Sequence, residues 1–499
     1  MTSSKKRSLA LVIVFVLIVM GTFSIEKSQR PLNSLKSYET QTLSWSQCSN
    51  TFECTYLKVP IDYSNLKDGQ FALRVVRLKA KNQSGRIGSL VINPGGPGAS
   101  GVDYALEAQY IFGPSMLAKY DIVGFDPRGI GASAPIHCLN GPQTDASYAA
   151  DSKPDNAKEL VALVKDTRQY VARCEAKTKN ILHYSTADSA RDMDLLRAAL
   201  GEKKLNYLGV SYGTYLGTLY ADFFPDKVGR MVLDGAISPI VSSTEQNLTQ
   251  AIGFDTALNA FIADCYTQLN CALEQPAATA RKQITDLFER ASHKPLTSTS
   301  GRPVTESLVV LGIAAALYDR ATGWPQLREA FQAAQSGNGD KFLALADEYS
   351  QRNPDGTYPT NENDAQFVID CLDWKGTRTT AEMVNEAKVF AVQAPVFGPY
   401  LAYSGLACQF FPNLAIASPV IKKISTSPIV IVGTTRDPAT PYKWALDLHA
   451  TIQNSRLISL NGDGHTGYGH GSACVDSAVD HYFLTGAAPA HDLSCTSPI

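Results

Sequence analysis

The chain has 499 residues, of which 44% are hydrophobic and 18% charged, with a formal net charge of −2. That balance excludes a disordered or fibrous chain and supplies enough apolar residues for a large core; without a basic surplus it also excludes a dedicated nucleic-acid surface. The start is different: Lys5-Lys6-Arg7 precedes an apolar run from Leu9 to Phe23. A short cationic segment ahead of a run of this length reads as a secretory leader, here 1–24, with Thr22 and Ser24 as small residues before the cut; an uncleaved anchor is the alternative. The polar stretch that follows, through about residue 44 and including Leu32 to Thr42, reads as linker.

From Cys54 the pattern turns to strand. Tyr56–Tyr63 and the alternating Phe71–Leu78, separated by Asp68-Gly69, predict an antiparallel pair. Ser89-Leu90-Val91-Ile92-Asn93 is a continuous apolar run of the kind buried on both faces of a parallel sheet. It leads into Pro94-Gly95-Gly96-Pro97-Gly98-Ala99-Ser100-Gly101, a loop whose backbone N–H groups are free to face a ligand. No Gly-Lys-Ser/Thr follows, which excludes a phosphate loop. The next strand, Tyr120–Asp126, ends in Pro127-Arg128-Gly129, where Asp126 and Arg128 are expected to pair and brace the turn. Helical patterns then cover Ala157–Lys177 and Ala187–Leu200.

Leu205 to Pro225 is the stretch that organises the chain. An apolar strand runs into Gly209-Val210-Ser211-Tyr212-Gly213 and emerges as an apolar helix. A serine on such a turn is held exposed at the top of the sheet, and glycine two residues either side lets strand and helix approach: this is the nucleophile elbow of α/β-hydrolases. Alone, G-x-S-x-G arises by chance in roughly one chain in six of this length. Context decides between an elbow and a glycine-flanked loop serine. After a further buried strand, Met231–Gly235, the region 238–425 is a succession of helical patterns: Leu248–Leu269, Ala277–Ser292, Ser307–Arg320 and Trp324–Gln335. Sheet resumes with Pro428–Gly433, followed by Asp437, and with Arg456–Leu460, followed by His465; a helix over Ala473–Phe483 closes the chain. The fold class expected is therefore an α/β-hydrolase: a doubly wound, mostly parallel sheet, at 45–237 and 426–499, with an inserted helical cap domain at 238–425.

Ser211, Asp437 and His465, each just past a strand and in that chain order, are the expected catalytic set. His465 would take the serine proton and return it to the leaving group, and Asp437 would orient the imidazole and stabilise its charged form. Asp234 and Asp463 are rival acids and His470 a rival base. The oxyanion donors would be the N–H of Tyr212 and one from the glycine loop, Gly96 ahead of Gly95. Nothing calls for a metal or an organic cofactor. The ten cysteines form close sequential couples without a C-x-x-C motif, so consecutive disulfides 48–54, 138–174, 265–271, 371–408 and 474–495 in an oxidising compartment are expected. Asn82-Gln83-Ser84 and Asn247-Leu248-Thr249 match the glycosylation acceptor, relevant only in a eukaryotic secretory pathway.

Asn93-Pro94-Gly95-Gly96-Pro97-Gly98 resembles the H-G-G-P-G loop of prolyl iminopeptidases. Asp121–Ser133, Gly209–Thr214, Asp437–Pro441, Cys371-Leu372-Asp373 and the cysteine-bearing segment after His465 resemble more closely the secreted tripeptidyl aminopeptidases of the same serine peptidase clan. Pro94 stands where the iminopeptidase loop has His, which disfavours a strict proline iminopeptidase. The resemblance implies an exopeptidase that releases short peptides, typically tripeptides, from peptide substrates with a free N-terminus. Such an enzyme must pair the substrate ammonium, and Asp373 is the candidate carboxylate. Cap aromatics Tyr318, Trp324 and Trp374 read as core. Residue types and spacing by themselves show an acyl-transfer hydrolase with a cap. An exported carboxylesterase or lipase using the same triad is the alternative, and a non-catalytic binding domain is disfavoured because no triad member is missing. Epoxide-opening or dehalogenating hydrolases are disfavoured because they carry a carboxylate at the nucleophile position.

Overall fold

A computed structural model describes residues 32–374, 378–412, 421 and 423–497. The leader or anchor expected at 1–24 lies outside these residues. Ten strands form one sheet: β1 (Ser46–Gln47), β2 (Phe52–Pro60), β3 (Gln70–Leu78), β4 (Gly88–Asn93), β5 (Tyr120–Phe125), β6 (Leu205–Val210), β7 (Val228–Asp234), β8 (Ile429–Arg436), β9 (Ser455–Asp463) and β10 (Leu493–Thr496). Their order is β1-β2-β3-β5-β4-β6-β7-β8-β9-β10. The opening strands and the β3–β5 pair are antiparallel, and every pair from β5 to β10 is parallel. This is the mostly parallel α/β-hydrolase sheet that the alternation of strand and helix predicts.

Burial follows from that topology. Every residue of β4 and β5 is buried, as strands covered on both faces require, and the one charged group among them, Asp121, accepts from Ala80 N–H and Arg86. Val91, Val123, Tyr207, Met231 and Ile431 face one core. Leu90, Ile92, Ile122, Leu208 and Val232 alternate with them onto the other. A third core, from Phe254 through Trp324 to Phe397, belongs to the helices between β7 and β8. These include Ser243–Cys265, Ala277–His293, Glu306–Leu317, Gly323–Ala334, Asp340–Tyr349, Glu362–Asp373 and Thr380–Gln393. The four expected helical patterns fall on the first four of these, within a few residues at each end.

Chain direction sets the position of the site. β5 lies on one side of β4 and β6 on the other, so the connections diverge there, and a crevice opens at the carboxyl ends of β4 and β6. Asn93, the last residue of β4, is in register with Gly209. The glycine loop and the elbow are thereby neighbours.

Two expectations change. Part of the stretch read as linker is a helix, Leu35–Glu39, opened by a reciprocal Ser34–Ser37 capping box, with Tyr38 completely buried. Gln41 adds hydrogen bonds to the backbone N–H and C=O of Lys58 in β2. A five-residue helix with one apolar anchor has too little periodicity to stand out from polar neighbours. Second, Arg128 does not pair with Asp126. Its guanidinium forks onto Asp192 (2.7 Å twice) and donates to the carbonyls of Pro60, Ile61 and His183. Asp126 instead accepts from the Ser100 hydroxyl and the N–H groups of Val102 and Ala132. A guanidinium needs more acceptors than a neighbouring carboxylate in the same turn can offer, and helix Thr186–Ala199 brings Asp192 from elsewhere. All five disulfides join consecutive cysteines as expected. Among the described residues, no helix is long and apolar enough to cross a membrane.

Candidate active site

Ser211 sits at φ 55°, ψ −126°, between β6 and helix Tyr212–Phe223. Such a positive φ is costly for a non-glycine residue and persists only when the surroundings enforce it. They do: Ser211 N–H donates to the Asp234 carbonyl (2.8 Å), and its own carbonyl accepts from Thr214 N–H and, at 2.6 Å, the Thr214 hydroxyl. A Cβ on Gly209 would lie 2.4 Å from the Gly213 carbonyl oxygen, so the elbow closes only with glycine there. The glycine loop presses on the same point from β4. A Cβ on Gly95 would meet the Val210 carbonyl oxygen at 2.7 Å and the Tyr212 nitrogen at 2.9 Å. Gly95 N–H donates to the Asn93 side chain (3.1 Å), while Gly96 faces the cavity beside Ser211.

β8 and β9 bring the other two groups together. His465 Nδ1 lies 2.9 and 3.0 Å from the two Asp437 carboxylate oxygens. Asp437 also accepts from Ala439 N–H, Thr440 N–H, the Thr440 hydroxyl and Thr466 N–H. So many donors fix its orientation. Burial disfavours the charged imidazole, yet the adjoining Asp437 carboxylate outweighs this and raises the His465 pKa above its ordinary value. The backbone N–H of His465 donates to the Tyr318 carbonyl (2.8 Å), and the Tyr318 ring packs edge-on against the imidazole at 5.1 Å.

Ser211, His465 and Gly96 line one cavity of ≈ 410 Å³, roofed by Tyr318, Tyr349, Glu362 and Gln366 from the helical insertion. A second hollow of ≈ 760 Å³ adjoins it along Ser350 and Asn363 but contains none of the three. A nucleophile, an imidazole backed by a carboxylate and backbone donors at one helix N-terminus can perform acyl transfer.

The C-terminal segment, residues 394–495, matches the family model described as TAP-like protein. Over 480 residues the chain is 35% identical to Serine protease Hip1 of Mycobacterium tuberculosis, covering 91% of each chain. It is 32% identical to the Tripeptidyl aminopeptidase of Streptomyces coelicolor (91% of this chain, 86% of the relative) and 37% identical to Carboxylesterase B of M. tuberculosis (91% and 89%). The chain belongs to the TAP-like family of α/β-hydrolases. It is a serine hydrolase, as its resemblance to the tripeptidyl aminopeptidases implies.

The rival groups of this TAP-like chain have other occupations. Asp234 is buried, which pushes its pKa up to about 6, and accepts from the N–H groups of Gly467 and Tyr468, shaping the turn after His465. Asp463 pairs with Arg436. His470 shares a hydrogen bond with the Thr466 hydroxyl at 3.0 Å.

Asp373 is placed differently from expectation. It ends helix Glu362–Asp373 inside the protein, accepts from Thr186 N–H (2.8 Å) and from the Thr186 hydroxyl, and does not line the Ser211 cavity. Burial pushes its pKa up to about 7 against those hydrogen bonds. Two carboxylates do line the cavity: Asp319, which accepts from the Ala321 and Thr322 N–H groups of its own turn, and Glu362, eleven residues before Asp373 at the other end of the same helix. Glu362 Oε1 would lie 3.3 Å from a Cβ on Gly96, and its Oε2 accepts from the Gln351 amide (2.8 Å). Burial pushes its pKa up to about 7. Of the three aromatics read as core, Tyr318 forms cavity wall, Trp324 is core, and Trp374 stacks on Tyr215. Sequence gave no handle on Glu362. It opens its helix within a polar run, Asn361-Glu362-Asn363-Asp364, where all four residues suit a first turn equally. Thr440, which bridges Asp437 and His465 Nδ1 (3.3 Å), was legible as part of the Asp437–Pro441 motif but not as a hydrogen-bond partner.

Proposed function

We propose that this chain is an exported serine exopeptidase that removes short peptides, tripeptides by its family likeness, from the free N-terminus of peptide substrates. The observation that carries this reading is Glu362. A carboxylate half-buried in the wall of the cavity that holds Ser211, with its pKa raised by desolvation, is costly to ionise unless a cation arrives to pair with it, and a peptide's terminal ammonium is such a cation. A neutral ester would leave it uncompensated.

In the proposed reaction, Ser211 Oγ attacks the scissile carbonyl as His465 Nε2 accepts its proton. The Tyr212 and Gly96 N–H groups receive the developing oxyanion. His465 then protonates the leaving amine, and water hydrolyses the acyl-enzyme by the same proton route in reverse. Asp437 keeps the imidazole in the tautomer that presents Nε2. The insertion, taken as a cap over 238–425, selects the substrate by closing the cavity beyond Glu362. The leader at 1–24 and the five disulfides support export.

The test compares Ala-Pro-Ala anilide bearing a free N-terminus, the same peptide acetylated, and a short-chain nitrophenyl ester, with Ser211→Ala and Glu362→Gln alongside wild type. The expected result is cleavage of the free peptide only, none by Ser211→Ala, and a KM increase of at least tenfold in Glu362→Gln. Fast ester turnover with both anilides intact would overturn the peptidase reading in favour of the esterase one that the name of a 37% identical relative suggests.

A further inference from the structure

We propose that Asp373 is a positioning residue for the oxyanion site: through Thr186 it holds the Tyr212 side chain, and with it the direction of the backbone N–H that follows Ser211. The inference rests on the assignment of Ser211 as nucleophile and Tyr212 N–H as oxyanion donor.

Tyr212 is the first residue of the elbow helix, and its ring is buried. Its hydroxyl meets the hydroxyl of Thr186, the first residue of helix Thr186–Ala199. Thr186 is completely buried and delivers both its N–H and its hydroxyl to the two oxygens of Asp373. A hydroxyl has one proton; with Thr186 donating to Asp373, Tyr212 donates to Thr186, and the chain runs Tyr212 to Thr186 to Asp373. A second contact ties the same two elements. Trp374, the residue after Asp373, stacks on Tyr215 at 5.3 Å, one turn along the elbow helix from Tyr212. The Cys371–Cys408 disulfide secures that end of helix Glu362–Asp373.

Packing alone does not explain this polar chain. A phenylalanine would fill the ring's site, and burying three polar groups is tolerable only because each is satisfied by the next. What the chain adds is direction. Ser211 is in a strained conformation, so the peptide unit between Ser211 and Tyr212 is held by what grips either end. The Ser211 end is gripped by Asp234 and Thr214. At the other end, the Tyr212 side chain is the handle, and the network fixes it. An oxyanion donor acts by being aimed before the charge forms, so a small loss of aim lowers turnover without weakening ground-state binding.

The test measures kcat and KM for the free tripeptide anilide, and the rate of Ser211 labelling by a fluorophosphonate, in Tyr212→Phe, Thr186→Val, Thr186→Ser, Asp373→Asn and the Tyr212→Phe/Thr186→Val pair. Removing an oxyanion donor outright costs roughly 10²–10³-fold in kcat, and loosening one is expected to cost about tenfold. Tyr212→Phe and Thr186→Val should each lose about that in kcat and in labelling rate, with KM within twofold, and the pair should lose no more than either alone. Thr186→Ser, which keeps the hydroxyl, should retain wild-type turnover. Wild-type kcat in Tyr212→Phe, a change confined to KM, or additive losses in the pair would overturn the proposal. Should Thr186→Val fail to fold, Tyr212→Phe, which removes a single oxygen, still decides. Failure of the underlying assignment shows separately, as fluorophosphonate labelling that persists in Ser211→Ala.

Discussion

Replacing Asp437 by Asn tests the proposed triad at its most specific point. Oδ1 accepts from Ala439 N–H, Thr440 N–H and His465, whereas Oδ2 accepts from the Thr440 hydroxyl, Thr466 N–H and His465. An asparagine would turn its NH2 toward the Oδ2 position, because the Thr440 hydroxyl can rotate to accept and only Thr466 N–H loses its partner. His465 Nδ1 keeps an oxygen at about the present 2.9 Å and therefore keeps its tautomer. What disappears is the negative charge beside the imidazolium formed in the transition state. Two unit charges about 4 Å apart interact by about 4 kcal/mol at an effective dielectric constant of 20, which corresponds to about 10³ in kcat. The assay is kcat and kcat/KM on the free tripeptide anilide from pH 5 to 10. KM should hold. Because Asp437 is what raises the His465 pKa, the acid limb of the profile should move to lower pH in the variant. A loss below tenfold, or an acid limb that stays in place, would refute the assignment of Asp437 as the partner that stabilises charged His465.

Other perturbations follow from single contacts. Glu362 has its pKa pushed up to about 7, so its charge is present above that pH and lost as pH falls through it; KM for the free peptide should rise on acidification below about 7, and in Glu362→Gln it should be high and flat across that range. Gly95→Ala puts a methyl 2.9 Å from the Tyr212 nitrogen at a φ of 104°, and should cost at least 10²-fold in kcat/KM while circular dichroism remains that of wild type. Arg128→Met leaves Asp192 buried without its cation, a loss of about 3–5 kcal/mol; at roughly 2.1 cal/mol/K per residue over about 450 residues, this lowers the melting temperature by about 3–5 °C, readable by calorimetry.

The legible parts of this chain are those whose chemistry demands a local pattern. A serine on a strand-to-helix turn needs its glycines within two residues, and β8 and β9 announce Asp437 and His465 by ending one and two residues before them. Helix Ala157–Lys177 reads cleanly because Asn156 caps its first turn and a polar segment follows its last. Contacts between distant segments left no such trace. Arg128 chose Asp192, 64 residues away, over Asp126 two residues away. Asp373 and Glu362 are carboxylates on one helix, and only the packing of that helix against the elbow and the glycine loop decides which one faces the cavity. Tyr318 reads as any helix-terminal aromatic until its carbonyl is seen to hold the His465 backbone.

The cysteine bridges have a consequence for how the chain matures. They close segments of 6, 36, 6, 37 and 21 residues, and no segment overlaps another. A polypeptide emerging from a pore amino end first meets its thiols in matched order, so joining each new one to the single unpaired thiol already outside yields the native set. A simple oxidant suffices, and reshuffling is needed only if emergence outruns oxidation. The same non-overlap means that none of these covalent links joins the helices between β7 and β8 to the sheet. That relationship rests on non-covalent contacts such as Tyr318 on His465 and Asp373 on Thr186, so displacing the roof of the cavity disturbs the proposed base and oxyanion donor with it.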